Sequence, residues 1–207
     1  MIKAVIFDID GVLADSLDAN TRFFQNLMVE AGYKPPTKKE YSSLFHLTMM
    51  DVVKELTKSK SEKEIQRVFE MGKILPYPIS YLKSPNGSKK VIEQLSKKYK
   101  LALVSSRVRK SVNNYFKFSK TEKYFPVSIS YEDTLKHKPN PEPLVLAAKR
   151  LSINPQEAIY IGDNKSDVLA GKAANMKVII YSKKRLKEAN LCTSDFSSIP
   201  ALISRLT

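Results

Sequence analysis

Cysteine and long apolar runs are scarce in this sequence of 207 residues, and basic residues outnumber acidic ones. The single cysteine, Cys192, excludes an intramolecular disulfide and argues against a zinc cluster. No apolar run reaches the length of a membrane-spanning helix, and the first residues form a strand-like segment with no evident secretory signal. These absences predict a cytoplasmic protein that does not interact with membranes.

The charge balance is strongly basic, with 35 Lys and Arg against 21 Asp and Glu and a formal net charge of +14. Such a charge attracts anions and could hold nucleic acid weakly. The basic residues are spread along the chain, however, and no nucleic-acid-binding motif accompanies them. The charge is explained by a solvated basic surface or by a small anionic substrate, and it predicts no specific nucleic-acid partner.

Short apolar runs alternate with amphipathic helical stretches over much of the chain. Buried strands are predicted at residues 4–7, 101–104, 158–161 and 178–181, with a weaker candidate at 127–130. Helices are predicted at residues 88–98, 108–118, 143–151 and 167–174. This alternation predicts an α/β fold with a doubly wound parallel sheet.

Residues 15–82 break the alternation, because their pattern is helical throughout and contains no convincing strand. Helices are predicted there at 19–31, 48–56 and 61–75, and prolines separate them. The sequence therefore predicts an α/β core formed by residues 1–14 and 83–207, with a small all-helical domain of residues 15–82 inserted after the first strand.

The first strand ends in two carboxylates, in the sequence Asp8-Ile9-Asp10-Gly11. Ligands of open α/β sheets bind at the carboxyl ends of strands. Two ionised carboxylates at this spacing repel each other unless a cation or a proton lies between them. An Asp-Gly pair also suits an ordinary turn. By itself, the segment is compatible with a metal-assisted active site or with a structural turn.

A polar segment also follows the predicted strand at 101–104. Ser105, Ser106 and Arg107 supply a hydroxyl, backbone N–H groups and a guanidinium where a helix begins, which suits a phosphate group. Serine at the start of a helix is usually just a cap, so this segment taken alone favours a structural role.

Two further segments carry charged side chains at comparable places. Lys138 lies among prolines that hold its backbone stiffly, which suits a cation aimed at a ligand or simply a rigid loop. Asp163 follows Gly162 at the end of the strand at 158–161, and Asp167 lies in the first turn of the next helix. Asp167 alone could be a helix N-terminal charge.

Taken in order, these four segments resemble the motifs of the haloacid dehalogenase-like hydrolases. Asp8-x-Asp10-Gly-Val-Leu-x-Asp15-Ser16 is similar to the first motif, Ser105 to the second, Lys138 to the third, and Gly162-Asp163-x-x-x-Asp167 to the fourth. One motif is weak evidence, but the order and spacing agree along essentially the whole chain. Members like phosphoglycolate phosphatase and β-phosphoglucomutase have the most similar pattern. The resemblance implies a Rossmann-like core with a helical cap after the first motif.

The resemblance also implies a Mg²⁺-dependent phosphatase that forms an aspartyl-phosphate. Asp8 would be the nucleophile, and Asp10 would first protonate the leaving oxygen and then activate water. Lys138 would supply a fixed positive charge. The implied substrate is a small phosphorylated metabolite, such as phosphoglycolate or a sugar phosphate.

The remaining site residues follow from the same resemblance. Those implied to bind substrate are Gly11, Ser105, Ser106, Arg107, Lys138 and His46. The implied metal ligands are Asp8, Asp10 through its backbone carbonyl, Asp163 and Asp167, where Asp167 alternatively orients Lys138 or a metal-bound water.

The sequence departs from the family pattern at several positions. Ser105-Ser106 replaces a common Thr-Asn, and Asn175 replaces a glycine at a helix end. His46 lies where many relatives have a glycine facing the substrate, so it is either a specificity residue or an ordinary surface or core histidine. Mutase relatives carry a histidine at the position of Asn20, so hydrolysis is favoured over a phosphosugar mutase. A pyrophosphatase also fits the sequence, as does a non-catalytic or nucleic-acid-binding protein of this fold.

Overall fold

The computed structural model describes all 207 residues and contains one sheet of six parallel strands. The strands are β1 (Ala4–Phe7), β2 (Lys100–Val104), β3 (Val127–Ile129), β4 (Ala158–Gly162), β5 (Lys177–Tyr181) and β6 (Leu191–Thr193). Their order across the sheet is β3-β2-β1-β4-β5-β6. This order is typical of the doubly wound, Rossmann-like fold, so the predicted fold class is confirmed.

Nine α-helices complete the chain. They are α1 (Leu17–Glu30), α2 (Lys38–Leu44), α3 (Met49–Thr57), α4 (Glu62–Ile74), α5 (Ser88–Ser96), α6 (Arg109–Ser119), α7 (Glu142–Arg150), α8 (Lys165–Ala173) and α9 (Ile199–Ser204). Helices α5 to α9 accompany the sheet, whereas α1 to α4 follow β1 in the chain and precede α5. None of the helices combines the length and the apolar content needed to cross a membrane.

The central strand β1 is buried on both faces, which explains its continuous apolar sequence. Val5 and Phe7 belong to the larger apolar cluster on one face, and Ala4 and Ile6 to the cluster on the other. All four residues are fully buried. Burial of β1 fixes where its carboxyl end lies, and therefore where Asp8 lies.

Helices α1 to α4, which we call the helical insert, pack around an apolar cluster of their own. Leu27, Met28, Val53 and Val68 have no exposed surface in this cluster. The apolar stripe predicted for the first helix therefore faces the other helices of the insert. An all-helical insertion directly after the first strand is confirmed.

Three short elements have no counterpart in the sequence prediction: α2, β6 and α9. In α2 only Tyr41 is buried, so an apolar periodicity is missing, although its N-cap Thr37 and Glu40 form a capping box. The three residues of β6 are all partly exposed. The α2 helix and the β6 strand are too short and too weakly buried for a hydrophobic pattern to appear.

Helix α8 packs closely against β5 at Gly171, and we expect that only glycine fits there. A Cβ at this position would lie 2.4 Å from Cγ2 of Val178 on β5. Ala is favoured over Gly in a helix by about 1 kcal/mol, but overpacking costs about 1–3 kcal/mol. Gly171→Ala is therefore expected to lower the free energy of unfolding by up to about 2 kcal/mol, as measured by urea denaturation.

The matched test is the double variant Gly171→Ala/Val178→Ala, in which the opposing methyl group is removed. We expect the double variant to be more stable, by about 1 kcal/mol or more, than the sum of the two single effects predicts. Strictly additive effects would contradict the packing explanation.

Candidate active site

The ends of the central strands bring the sequence-predicted residues together. β1 leads directly into Asp8, β2 into Ser105 and β4 into Asp163. The chain runs from β1 to β2 and β3 on one side and then returns to β4 on the other side. Ligands of open α/β sheets bind in the crevice at such a reversal of strand order. Asp8 and Asp163 lie at this crevice.

Lys138 is the centre of a buried network of charges. Its Nζ donates to Asp8 Oδ2 at 2.6 Å, to Asp167 Oδ1 at 2.8 Å and to the Tyr160 hydroxyl at 2.9 Å. The side chains of Lys138, Asp8 and Asp167 are 6%, 7% and 0% exposed. Because an ammonium has three N–H donors, all of them are used and the side chain is fixed in place.

The first turn of α8 holds Asp167 in this network. Its Oδ2 accepts from the backbone N–H groups of Asp163 and Asn164, at 3.0 and 3.3 Å. Its Oδ1 accepts from Lys138 and from the Tyr160 hydroxyl, the latter at 2.8 Å. Each carboxylate oxygen of Asp167 therefore already has two donors. Asp167 positions both the Lys138 ammonium and the backbone that carries Asp163.

Two glycines allow the loops after β1 and β4 to approach each other closely. A Cβ on Gly11, where φ is +72°, would lie 2.0 Å from Asp163 Oδ2. A Cβ on Gly162 would lie 2.3 Å from the Cβ of Asp167. Any larger residue at either position would push an aspartate out of the site.

Three carboxylates, those of Asp8, Asp163 and Asp167, have oxygen atoms within 4.8 Å of one another. Lys138 is the only cation in contact with them. Burial, and next the charge of Asp167, raise the pKa of Asp163 to about 8. Three carboxylates against one ammonium leave excess negative charge, and carboxylate oxygens are what a divalent cation such as Mg²⁺ prefers. The residues present therefore fit a metal ion.

The other two carboxyl groups respond differently to the same surroundings. Burial raises the pKa of Asp8 to about 7, although Lys138 acts in the opposite direction. Burial also acts to raise the pKa of Asp167, but the charge of Lys138 and the hydrogen bonds from Lys138, the Asp163 backbone and Tyr160 together hold that pKa below 3.8. Asp167 is thus the ionised partner of Lys138 at neutral pH.

Asp10 faces a second cation, Arg107. The guanidinium donates from Nε to Asp10 Oδ2 at 2.8 Å and from Nη2 to Asp10 Oδ1 at 2.7 Å. Asn20 donates to the same Oδ1 at 3.0 Å, and the Ser16 hydroxyl also donates to it. Burial acts to raise the pKa of Asp10, but Arg107 and these hydrogen bonds lower it below 3.8. The Asp10 carboxyl is ionised in this arrangement.

Arg107 also connects the end of β2 to the helical insert. Its Nη2 donates to the Tyr77 hydroxyl at 2.9 Å, and the guanidinium carbon lies 4.9 Å from the centre of the Tyr77 ring. Tyr77 donates in turn to Asn20 Oδ1 at 2.5 Å, and Asn20 is on α1. Asp10, Arg107 and the insert are thereby joined in one hydrogen-bonded group.

A cleft that is open to solvent lies between the strand ends and the helical insert. Asp8, Lys138 and Asp163 line its floor, and Phe24 and Tyr41 of the insert contribute to its apolar wall. A mostly apolar cleft with a few convergent charged groups is typical of a small-molecule site.

The remaining sequence-predicted residues occupy different parts of this region. Ser106 and the exposed His46 line the cleft. Ser105 is 5% exposed, accepts a hydrogen bond from the backbone N–H of Arg107 at 3.2 Å, and lines a smaller adjoining hollow together with Lys138. The predicted substrate-binding residues are therefore close together, although Ser105 lies behind the main cleft.

Two tyrosines of the site were missed by the motif analysis. Tyr160 is fully buried within β4, and a buried tyrosine usually needs a hydrogen-bond partner for its hydroxyl. That rule could have pointed to Tyr160 from the sequence. Tyr77 follows the helical insert between two prolines, and nothing in its local pattern indicates its contact with Arg107.

The raised pKa of Asp163 predicts a pH dependence of stability in protein freed of divalent cations by a chelator. The folded state retains a proton on Asp163 up to about pH 8, whereas the unfolded state loses it near pH 3.8. Stability from this group is therefore fully present below pH 3.8 and lost as the pH rises to about 8.

The test compares urea unfolding of the wild type and Asp163→Asn at a series of pH values. Because one pH unit between the two pKa values corresponds to about 1.4 kcal/mol, we expect the wild type to lose about 4 kcal/mol more than the variant between about pH 5 and 8. Glu188→Gln, at an exposed position, should follow the wild type. Parallel curves for the wild type and Asp163→Asn would refute the prediction.

Comparison with known proteins supports the fold and identifies the family. Pyrophosphatase PpaX of Oceanobacillus iheyensis is 25% identical over 202 residues, which cover 93% of this chain and 89% of that protein. The crystal structure of CbbY from Rhodobacter sphaeroides in complex with phosphate has a TM-score of 0.80 at 18% identity, with 96% of each chain covered. A predicted phosphoglycolate phosphatase from Haemophilus somnus has a TM-score of 0.75 at 17% identity, with 98% of each chain covered.

The family model described as haloacid dehalogenase-like hydrolase matches residues 5–181, which include every strand-end residue of the site. This match covers most of the chain and agrees with the order of the four sequence motifs. The protein belongs to the haloacid dehalogenase-like hydrolases.

Proposed function

We propose that the protein is a Mg²⁺-dependent phosphatase that hydrolyses a small phosphorylated metabolite, through a phosphoryl group carried by Asp8. The observation that carries this proposal is the contact of Lys138 with Asp8 at the floor of the cleft. An aspartate that forms an acyl phosphate must be held against a positive charge that draws in the phosphoryl group. The motif order and the family assignment support the same conclusion.

Asp8 acts as the nucleophile in this proposal. One of its carboxylate oxygens attacks phosphorus, and the bond from phosphorus to the leaving oxygen breaks with its electron pair on that oxygen. Water then attacks the phosphorus of the Asp8 phosphate, which releases inorganic phosphate and restores the carboxylate. Dividing the reaction into two steps replaces one very slow displacement by two easier ones.

Asp10 moves the protons of the two steps. It gives a proton to the leaving oxygen and then takes one from the attacking water. The ion pair with Arg107 keeps Asp10 ionised, which is the state required of the base. The acid role requires the Asp10 carboxyl to turn away from Arg107 when substrate is bound.

The phosphoryl oxygens would be held by the Ser105 hydroxyl, the backbone N–H of Ser106 and Lys138, whose N–H that donates to Asp8 would turn to the phosphoryl group. The Gly11 N–H already donates to the Ala14 carbonyl oxygen. The Lys138 ammonium is fixed before substrate arrives, because three partners hold it. Fixed donors stabilise the developing charge without reorganisation during the reaction.

Asp8, Asp163 and the backbone carbonyl of Asp10 would hold Mg²⁺. A bound Mg²⁺ would screen the repulsion between the carboxylate nucleophile and the phosphoryl group. Both oxygens of Asp167 are occupied by other donors, so we assign Asp167 to positioning Lys138 and the Asp163 backbone rather than to direct ligation.

Residues 15–82 would act as a cap domain on a core formed by residues 1–14 and 83–207. The separate apolar cluster of the helical insert and its share of the cleft lining support this division. His46 belongs to this cap domain and lines the cleft, so it is a candidate for a residue that selects the substrate.

Pyrophosphate is a second candidate substrate. The similarity to proteins named pyrophosphatase PpaX over most of the chain favours it. A phosphosugar mutase is less well supported, because Asn20 cannot transfer a proton and its amide is bonded to Asp10 and Tyr77.

Asp8→Asn is expected to lower Mg²⁺-dependent phosphate release by about 1000-fold or more, since an amide is a poor nucleophile. The measurement is phosphate release from a panel of phosphoglycolate, sugar phosphates, pyrophosphate and an aryl phosphate. Product analysis of a sugar 1-phosphate reaction checks for isomerisation. Asp18→Asn, a surface carboxylate on α1, is the matched control and should keep wild-type activity.

Thermal unfolding distinguishes loss of chemistry from loss of structure. Asp8→Asn should remain folded because Asp167 still neutralises Lys138 and the amide oxygen can accept a hydrogen bond from the ammonium. Undiminished phosphate release by Asp8→Asn would disprove the nucleophile. A wild type that is inactive on the whole panel but binds DNA or RNA tightly at physiological salt would favour a nucleic-acid-binding role.

A further inference from the structure

The charges that line the cleft are unevenly distributed. The acidic residues of the lining are Asp8, Asp10 and Asp163, all of which follow β1 or β4. The charged residues of the wall formed by α6 and the end of α4 are both cations, Lys110 and Lys73. Arg107 contacts Asp10 on the acidic side and Ser111 on α6.

We propose that Arg107, assisted by Lys110, binds a second anionic group carried by the leaving group of the substrate and thereby selects substrates that have one. The second anion would be a carboxylate or a phosphate. This inference rests on the proposed phosphatase function and names the class of compound that its site accepts.

The donors of Arg107 support this role. Its Nε and Nη2 are bonded to Asp10, and Nη2 also reaches Tyr77. Its Nη1 has a single partner, the Ser111 hydroxyl at 3.0 Å. Because Nη1 carries two hydrogens, one N–H is left without a protein acceptor in a residue that lines the cleft and is only 8% exposed.

The geometry of the existing ion pair shows what Arg107 is built to bind. Its planar guanidinium already holds the two oxygens of the Asp10 carboxylate side by side. Carboxylate and phosphate groups are the ligands for which this two-point contact is most favourable. A substrate anion of the same kind could share the guanidinium with Asp10 or replace it.

The position of Arg107 places this anion on the leaving-group side. Arg107 contacts Asp10, the residue proposed to protonate the leaving oxygen, and has no contact with Asp8, where the phosphoryl group is bound. Lys110 and Ser111 follow on the first turn of α6 and line the same wall. A ligand that reaches from Asp8 past Asp10 therefore meets positive charge.

Selectivity tests the proposal better than activity, because loss of Arg107 also frees Asp10 and would slow every substrate. We therefore compare kcat/KM for pyrophosphate and phosphoglycolate, which carry a second anion, with kcat/KM for ethyl phosphate, which does not. The variants are Arg107→Gln, Lys110→Gln and, as a matched control at an exposed position, Arg205→Gln.

In Arg107→Gln, the preference for substrates with a second anion is expected to fall by about tenfold or more, the size of one charge-assisted hydrogen bond. Lys110 is exposed, so we expect Lys110→Gln to lower this preference by only about threefold. Arg205→Gln should leave the preference unchanged. A loss for pyrophosphate alone identifies phosphate as the preferred anion, and a loss for phosphoglycolate alone identifies carboxylate.

An equal decrease for all three substrates in Arg107→Gln, with no change of preference in Lys110→Gln, would overturn the proposal. If the wild type hydrolyses none of them, the proposed function fails, and calorimetric binding of methylenebisphosphonate and methylphosphonate decides the inference separately. Tighter binding of the bisphosphonate by the wild type, lost in Arg107→Gln, supports it. Equal binding of the two probes contradicts it.

Discussion

The excess of buried carboxylate charge at the end of β1 is the constraint on which the rest of this site depends. Three carboxylates, Asp8, Asp163 and Asp167, have oxygen atoms within 4.8 Å of one another, and the one ammonium in contact with them, Lys138, neutralises only part of their charge. Unpaired charge of this kind is costly inside a protein unless another cation joins it. Burial, and next the charge of Asp167, raise the pKa of Asp163 for the same reason. A site with these properties favours ligands that bring positive charge.

The surrounding structure serves mainly to hold these charges together. Gly11 and Gly162 let two loops approach to distances that no side chain would allow. Tyr160, from within β4, donates to Asp167 and accepts from Lys138. The parallel sheet supplies the common edge, since its central strands end side by side. Neutral groups thus fix the directions of the charged ones, which is how a preorganised electrostatic site is built.

Much of this arrangement could be predicted from the sequence because it depends on local patterns. Apolar runs identified β1, β2, β4 and β5, and the polar residues after them marked the site, since strand ends in a parallel sheet share one edge. Contacts between distant residues could not be predicted in this way. The pairing of Arg107 with Asp10 spans 97 residues and requires the helical insert to bring Tyr77 alongside. Short elements such as β6 bury too little to leave a pattern.

Calorimetric titration of the chelator-treated protein with Mg²⁺ measures whether the carboxylates at the end of β1 hold a cation, and it needs no substrate. We expect one Mg²⁺ bound per chain, with at least about tenfold weaker binding in Asp163→Asn, since a carboxylate ligand is lost. The exposed variant Glu188→Gln should bind as the wild type does. Equal Mg²⁺ affinity in the wild type and Asp163→Asn, or no measurable binding by either, would contradict the account.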